Sequence, residues 1–213
     1  MRVALYGSRS DGHARVVLEL FGRDPRFEVV GLLDDLPQNA NRRIGDLVVL
    51  GGAGELPGLT EELGLEGVLL GFGAAHGRER VLAAVEAAGL TLPILVHESA
   101  WVSSSSRLSP GVQLLPGARV NPGSSLGRGV LVNTGAIVEH DVKVGDFSVI
   151  DPGAVLTGRV RVGPSVEIGS GAVLIPDVEV GGEATIGAGA VVTKNVPAGE
   201  TVVGVPARPQ RSG

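Results

Sequence analysis

The stretch VLVNTGAIVEHDVKVGDFSVIDPG, residues 130–153, reads as four blocks of six residues that share one pattern. The first residue of each block is Ala, Ser or Val, and the third is Val or Ile. The same pattern runs without insertion through sixteen blocks, from Ala100 to Asn195, with Val, Leu or Ile always third. Alanine also recurs every 18 residues from Ala100 to Ala190. A short fixed period of this kind indicates a repeat architecture in which each unit stacks on its neighbours.

The hexads predict very short strands joined by tight corners. When the first and third residues point inward and the second points outward, three strands complete a triangular coil of 18 residues. The other three positions are rich in Gly, Pro, Asn, Asp and Ser, which favour turns. We therefore predict a parallel β-helix of about five coils, whose hand the period does not specify. The segment VPAGETVVGVPARP after Asn195 breaks the period and is expected to cap or leave the coil.

The first 95 residues follow a different pattern, in which strands and helices alternate. RVALYG, FEVVGLLDD, LVVLGG and EGVLLGFG read as strands, and GHARVVLELFGRD and RERVLAAVEAAGL as amphipathic helices. The apolar face of the first helix is predicted at Val16, Val17, Leu20 and Phe21. This order is typical of a βαβ, Rossmann-like unit with a small parallel sheet. We expect two domains, a βαβ domain over residues 1–95 and a β-helix with a C-terminal cap over 96–213.

Composition excludes several classes of function. A net charge of −5 argues against nucleic acid as a partner, because phosphate binding needs basic patches. No apolar run approaches the length of a membrane span, and no signal-like segment opens the chain. The absence of cysteine excludes a thiol nucleophile and zinc–thiolate sites. A cytoplasmic location is expected.

One corner of the repeats differs from the others because Glu139, His140 and Asp141 occupy it together. His140 is the only histidine in the sixteen hexads, and packing does not require it. An imidazole beside a carboxylate is suited to act as a general base near neutral pH, with Asp141 as the expected partner. The alternative is a solvated polar corner without a catalytic role.

Several motifs resemble one family of the hexapeptide-repeat acyltransferases. These are LYGSRSDGHARVV, GLLDD, GFG followed by RERV, ILVHESAWVS, GVLVNTGAIVEHDVKVGDFSVIDPGAVLTG and VVGVPAR. They are similar to the sugar O-/N-acetyltransferases, which include sialic acid O-acetyltransferases and N-acetyltransferases of nucleotide-linked 4-amino sugars. The resemblance implies a left-handed β-helix, acetyl-CoA as co-substrate, a nucleotide-linked sugar as acceptor, a homotrimer with its active site between solenoids, and no metal.

The resemblance also implies roles for individual residues. His140 matches the catalytic base, and Asp141 matches the acidic residue that raises its basicity. Nucleotide-sugar binding is implied for Asp11, Gly12, His13, Asp34, Asp35 and Gly73, and acetyl-CoA contacts for Ser170 and Ala188. One position departs from the pattern: some amino-sugar members have a second histidine nine residues after the base, where this chain has Val149.

Residue 158, one coil beyond His140, is a glycine. A glycine there would let its backbone N–H approach the acetyl-CoA thioester and donate to the developing oxyanion. Because no cysteine is present and no other nucleophile is evident, we expect direct transfer in a ternary complex. We expect the acceptor to be an amine, with a sugar hydroxyl as the alternative.

Two other enzyme classes fit these residues less well, and a role without catalysis is a further alternative. The glycine turn after the first strand and Asp34 also suit a nicotinamide enzyme, but only a solenoid follows, with no domain for hydride transfer. A zinc carbonic anhydrase needs about three converging histidines, whereas the repeats contain one. His76 and His97 are expected to be a solvated loop residue and a structural contact, respectively. A trimeric scaffold or nucleotide-sugar sensor without catalysis stays open and would release no CoA thiol.

Overall fold

The computed structural model describes residues 1–8, 12–22 and 24–210, which form two compact units. The first unit comprises Met1–Gly73 and Gly77–Pro93. The second comprises Ala74–His76 and the chain from Ile94 onward. The change of unit near residue 94 coincides with the change from alternating strands and helices to hexads.

The N-terminal unit is built on a five-stranded sheet of order β3–β4–β2–β1–β5. Only β3 and β4 pair antiparallel, as a hairpin, and the other pairs are parallel. The four predicted strands are present, and the short β3 is an addition. Their bounds are β1 Arg2–Tyr6, β2 Glu28–Leu33, β3 Arg43–Ile44, β4 Leu47–Gly51 and β5 Gly67–Leu70.

Three helices accompany this sheet: α1 His13–Phe21, α2 Leu56–Leu63 and α3 Arg78–Ala87. Short 3₁₀ turns span Pro37–Asn39 and Ala53–Glu55. Sequence reasoning missed α2, although a proline near its first turn and a left-handed glycine after its end are ordinary helix boundaries. None of the described helices has the length and apolar character needed to cross a bilayer.

The buried face of α1 differs from the predicted one. Ala14, Val17 and Phe21 are buried, whereas Val16 is 39% exposed. The spacing of three and four residues between the buried positions is the regular one for a single helix face, and Val16 lies beside it. Val16 and Val17 are about 100° apart around the helix axis, so Val16 lies at the margin of the face that buries Val17.

The second unit is the predicted left-handed parallel β-helix. Its two-residue strands stack with a register of 18 residues, so that Arg119 pairs with Trp101 and with Ile137. The strands form three faces. The first face contains Trp101–Val102, Arg119–Val120, Ile137–Val138, Val155–Leu156, Val173–Leu174 and Val191–Val192. The second face contains Arg107–Leu108, Ser125–Leu126, Lys143–Val144, Arg161–Val162 and Glu179–Val180. The third face contains Leu95–Val96, Gln113–Leu114, Leu131–Val132, Val149–Ile150, Glu167–Ile168, Thr185–Ile186, Thr201–Val203 and Arg208–Pro209.

The solenoid core consists of the inward first and third hexad positions. The alanine column from Ala118 to Ala190 is fully buried, and the third positions are nearly so. Each buried Val, Leu or Ile stabilises the fold by about 1.5–3 kcal/mol relative to exposure. Because this core is filled by aliphatic side chains, a substrate has to bind on the outside of the coil.

Both ends of the solenoid depart from the hexad count. The first rung is Leu95–Val96, which pairs with Gln113–Leu114 before the first of the sixteen blocks. At the other end Thr201 pairs with Thr185, a spacing shortened to 16 residues, and Arg208–Pro209 then pairs antiparallel with the preceding strand. The segment after Asn195 therefore caps the coil.

Candidate active site

The corner Glu139–Val142 connects the first and second faces and carries the His140–Asp141 pair. His140 Nδ1 lies 2.9 Å from Asp141 Oδ2. An ionised carboxylate can only accept, so Nδ1 is the donor of this contact, and a neutral imidazole in this tautomer has its lone pair on Nε2. Both side chains are exposed, by 49% for His140 and 62% for Asp141, so Nε2 can be reached from solvent. The pair has the arrangement of an oriented general base.

Two glycines on the neighbouring coils make room for these side chains. A Cβ at Gly158, one coil after His140, would lie 2.5 Å from Nε2. A Cβ at Gly123, one coil before Asp141, would lie 2.5 Å from Oδ1. The imidazole and the carboxylate therefore lean in opposite directions along the coil axis, each against a bare backbone. Gly158 places peptide groups beside Nε2, and within residues 24–210 its N–H makes no hydrogen bond.

Backbone hydrogen bonds fasten this corner to both adjacent coils. The N–H of Glu139 donates to the carbonyl of Leu156 at 2.9 Å, and that of Asp141 donates to the carbonyl of Pro122 at 2.9 Å. The carbonyl of His140 accepts from the N–H of Arg159 at 3.0 Å. Asp141 has φ of +60°, a left-handed conformation that Asp adopts more readily than most residues. The base is thus held on a rigid element.

A charged depression of about 400 Å³ adjoins Asp141 on the second face. Arg159 forms a two-pronged ion pair with Asp177, at 2.6 and 2.7 Å, and its pKa is raised by that carboxylate. Lys143 and Arg161 supply further cations. Sequence reasoning missed this cluster, although its outward residues recur at the 18-residue spacing.

Ser170 and Ala188 occupy a different corner from His140. They are exposed, one coil apart, on the corners that join the third face to the first. The Gly189 N–H donates to the Ser170 carbonyl at 2.9 Å, which ties these two corners together. Val149 lies on the third face and is fully buried. Within one chain, none of these three residues shares the corner of His140.

In the N-terminal unit, the expected binding residues follow the carboxyl ends of β1, β2 and β5. A Cβ at Gly73 would lie 3.8 Å from the His13 side chain, so these two positions are neighbours. Gly12 precedes His13 at the start of α1. Asp11 lies outside the described residues. Ligands of open parallel sheets bind at this edge.

The two acidic residues after β2 have different surroundings. Asp34 Oδ2 accepts from Ser8 Oγ at 2.5 Å and from Asn39 Nδ2 at 2.9 Å, while Oδ1 accepts from the Leu36 N–H at 3.0 Å. These bonds make Asp34 an organiser of its own loop. Asp35 instead accepts from the Ala53 N–H at 2.8 Å and pairs with Arg80, whose side chain is 70% exposed.

Tyr6 and Asp35 perturb each other. Burial and the nearby Asp35 carboxylate raise the pKa of Tyr6 well above its usual value, and the buried hydroxyl lacks a partner with full hydrogen-bond geometry in the described structure. Partial burial alone would raise the pKa of Asp35, but the Ala53 N–H, the Tyr6 hydroxyl and Arg80 together lower it. The Asp35 carboxylate is therefore ionised and held at the sheet edge.

His76 and His97 lie away from the His140 corner in the sequence and have different surroundings. His76 is exposed, and His97 Nδ1 lies 2.9 Å from Ser99 Oγ at the first corner of the solenoid. Over the described parts of the chain, no group of three or more His, Cys, Asp or Glu residues could hold a metal ion.

Comparisons with known proteins fit this geometry. A family model described as bacterial transferase hexapeptide (six repeats) matches residues 159–194. Comparison with curated protein sequences found no match. Perosamine N-acetyltransferase from Caulobacter crescentus, solved as a histidine-to-asparagine mutant with CoA and GDP-perosamine, is 32% identical, with a TM-score of 0.91 over 100% of this chain and 98% of that one. This chain belongs to the hexapeptide-repeat sugar acetyltransferases.

Two further structures extend the similarity. The acetyltransferase domain of PglB from Neisseria gonorrhoeae, in complex with acetyl coenzyme A, is 33% identical, with a TM-score of 0.86 and 98% of each chain covered. WeeI from Acinetobacter baumannii is 25% identical, with a TM-score of 0.76 over 99% of this chain and 100% of that one. The protein is thus an acyltransferase, and the similarity spans both of its units.

Proposed function

We propose that this acetyltransferase transfers the acetyl group of acetyl-CoA to the amine of a nucleotide-linked amino sugar, with His140 as general base. The observation that carries this proposal is the His140–Asp141 pair, with Nδ1 against the carboxylate, the imidazole about half exposed and Nε2 set against the bare backbone of Gly158. Bound CoA or acetyl-CoA in two similar structures, and GDP-perosamine in one of them, support the choice of substrates.

The reaction proceeds without a covalent enzyme intermediate. His140 Nε2 accepts a proton from the acceptor nitrogen as that nitrogen attacks the thioester carbonyl, forming the C–N bond. Asp141 stabilises the imidazolium, and the Gly158 N–H donates to the oxyanion of the tetrahedral intermediate. When the C–S bond breaks, the imidazolium returns the proton to the thiolate, which leaves as CoA thiol.

A panel of acceptors tests the proposal directly. Nucleotide-linked 4-amino sugars and their hydroxyl counterparts would be incubated with acetyl-CoA, while CoA release is measured and the products are analysed by mass spectrometry. We expect N-acetylation of an amino sugar, with a preference for one nucleotide. Transfer only to hydroxyls, unaffected by removal of the nucleotide, would show that the acceptor is wrong. No CoA release with any acceptor would favour a non-catalytic scaffold.

The nucleotide is proposed to bind the N-terminal unit through Asp35. Gly12, His13 and Gly73 are proposed to line the same nucleotide site. Asp35→Ala should therefore weaken nucleotide-sugar binding by roughly tenfold, as the loss of one charge-assisted hydrogen bond does. Asp34→Ala should instead lower the melting temperature, because it removes the acceptor of Ser8, Leu36 and Asn39. Calorimetry with nucleotide sugar and with CoA separates the two effects. Weaker CoA binding with unchanged nucleotide-sugar binding in Asp35→Ala would reverse the proposed roles of the units.

The active enzyme is proposed to be a homotrimer in which acetyl-CoA lies between two solenoids. Ser170 and Ala188 lie on a different corner from His140, so an extended CoA that contacts both regions is best accommodated between neighbouring chains. A row of aliphatic side chains also points outward along the first face and is only partly buried: Ile137, Val155, Val173 and Val191. We expect light scattering to give three times the chain mass. A monomer with full activity at micromolar concentration would contradict this proposal.

A further inference from the structure

A buried hydroxyl lies directly beneath the corner that carries His140. Ser124, one coil earlier, is 1% exposed. Its Oγ donates to the carbonyl of Glu139 at 2.6 Å and accepts from the N–H of Val142 at 3.1 Å. Glu139 and Val142 are the first and last residues of the corner, so a single oxygen atom joins its two ends.

Some other corners of the solenoid close without such help. In the corner Asn133–Ala136, the N–H of Ala136 donates directly to the carbonyl of Asn133 at 3.0 Å. At the active-site corner, the carbonyl of Glu139 and the N–H of Val142 instead both form hydrogen bonds with the Ser124 hydroxyl, which lies between them. This hydroxyl therefore sets the distance between the two ends of the corner. That distance in turn sets the tilt of the peptides that carry His140 and Asp141.

We propose that Ser124 is a positioning residue that sets the orientation of the His140–Asp141 pair. This inference rests on the proposed role of His140 as the base. The other groups that fasten the corner are backbone atoms of Leu156, Pro122 and Arg159, which no substitution removes. Without the hydroxyl, the corner can close through a direct bond from Val142 to Glu139. That closure rotates the intervening peptides and moves Nδ1 away from the Asp141 carboxylate.

The chain contains a matched control for this test. Ser148 is also buried, and its Oγ donates to the carbonyl of Gly163 at 2.8 Å and accepts from the N–H of Val166 at 3.0 Å. The sequence separations are the same as for Ser124, but this corner joins the second and third faces and carries no histidine. Loss of the Ser148 hydroxyl therefore costs the same hydrogen bonds without touching the base.

Three variants isolate the hydroxyl at residue 124. Ser124→Ala removes it without adding atoms, and Ser124→Thr keeps it. Ser124→Val has the shape of threonine without the hydroxyl. The same hexad column holds Val142, Val160 and Val178, so the coil accommodates a β-branched side chain at this position. Ser148→Ala serves as the control, and each variant is compared with the unsubstituted full chain.

Two readouts distinguish positioning from general stability. One is the split between kcat and the KM values, together with the pH profile of kcat/KM. The other is an NMR titration of the imidazoles, which is tractable because the chain has four histidines. The charged groups around His140 are Glu139 and Asp141 on its own corner and the Arg159–Asp177 pair on the following coils. Only the distance to Asp141 is expected to change.

We expect Ser124→Ala and Ser124→Val to lower kcat roughly tenfold, because small misplacements of a catalytic group are costly, with KM for acetyl-CoA nearly unchanged. The pH profile and the NMR signals of the His140 ring should both differ from those of the unsubstituted enzyme, since the imidazole loses its carboxylate partner. Ser124→Thr should restore kcat and the pH profile. Ser148→Ala should share with Ser124→Ala only the lower melting temperature.

An unchanged His140 titration and kcat in both Ser124→Ala and Ser124→Val would overturn the proposal. So would an equal loss of kcat in Ser148→Ala, or a Ser124→Thr variant as impaired as Ser124→Val. The His140→Ala variant separates this inference from the proposed function. If His140→Ala is inactive while Ser124→Ala is normal, only the role of Ser124 fails. If His140→Ala is fully active, the assigned base itself is wrong.

Discussion

Replacing His140 by alanine should lower kcat by about 10²-fold or more, the usual consequence of losing a general base. The variant loses the imidazole, which is the proposed proton acceptor at this corner. Its acetyl-CoA affinity should stay near that of the unsubstituted enzyme, because the backbone hydrogen bonds of the corner do not involve the imidazole. Steady-state kinetics together with calorimetry for CoA measure both quantities.

Asp141→Asn is expected to give a smaller loss than His140→Ala. Asparagine tolerates the left-handed backbone at this position, so the corner keeps its shape while the negative charge is lost. The imidazolium that forms during the reaction then lacks its stabilising carboxylate, which steady-state kinetics would show as a lower kcat. His76→Ala, at an exposed histidine, is the control and should be unaffected. Near-normal turnover in His140→Ala would mean that the corner is only a solvated polar turn.

Gly158→Ala should be nearly as damaging as loss of the base, although it adds a single methyl group. The new Cβ would lie 2.5 Å from His140 Nε2 and 2.7 Å from Cε1, so the imidazole has to move. Gly158 is not in the left-handed region, so alanine brings no backbone strain of its own. We expect kcat to fall roughly 10²-fold, since displacing a catalytic group by about 1 Å has effects of this size.

Gly182→Ala is a suitable control for this substitution. Gly182 occupies the same position of its hexad on another corner, and the atom nearest to its Cβ would be Pro164 Cδ, at 3.1 Å. Both variants should fold, as circular dichroism and melting temperature would show. Equal activity in Gly158→Ala and the unsubstituted enzyme would show that the imidazole works in another orientation. Equal losses in the two variants would indicate a general effect on the coil.

The repeat in the sequence is sufficient to predict most of the solenoid. Each hexad has Ala, Ser or Val first and a branched aliphatic residue third. The same strand and turn are therefore predicted in every coil, and the prediction does not depend on any single block. The alanine column from Ala100 to Ala190 is predicted to point inward: Ala118 to Ala190 are buried, and Ala100, in the first block, is partly buried against the core. The predicted strands of the N-terminal unit are also present, because their apolar runs end in glycine or acidic turns.

The period also predicted which residues stack one coil from His140, but not how the side chains use that space. Only the tertiary structure shows that the imidazole leans toward Gly158 and the carboxylate toward Gly123, because side-chain direction depends on contacts between coils. The hydrogen bonds of Ser124 to Glu139 and Val142 could not be predicted from the sequence for the same reason. A serine at the first hexad position resembles any other small core residue.

The acidic pair after β2 shows the same limit of sequence reasoning. Asp34 and Asp35 are adjacent and chemically identical, and the resemblance implied one role for both. In the folded unit Asp34 accepts from Ser8, Leu36 and Asn39, whereas Asp35 interacts with Ala53, Arg80 and the Tyr6 hydroxyl. A local pattern specifies which residues are available for binding. The partners of each carboxylate depend on segments that meet only in the folded unit, such as Ser8 for Asp34 and Ala53 for Asp35.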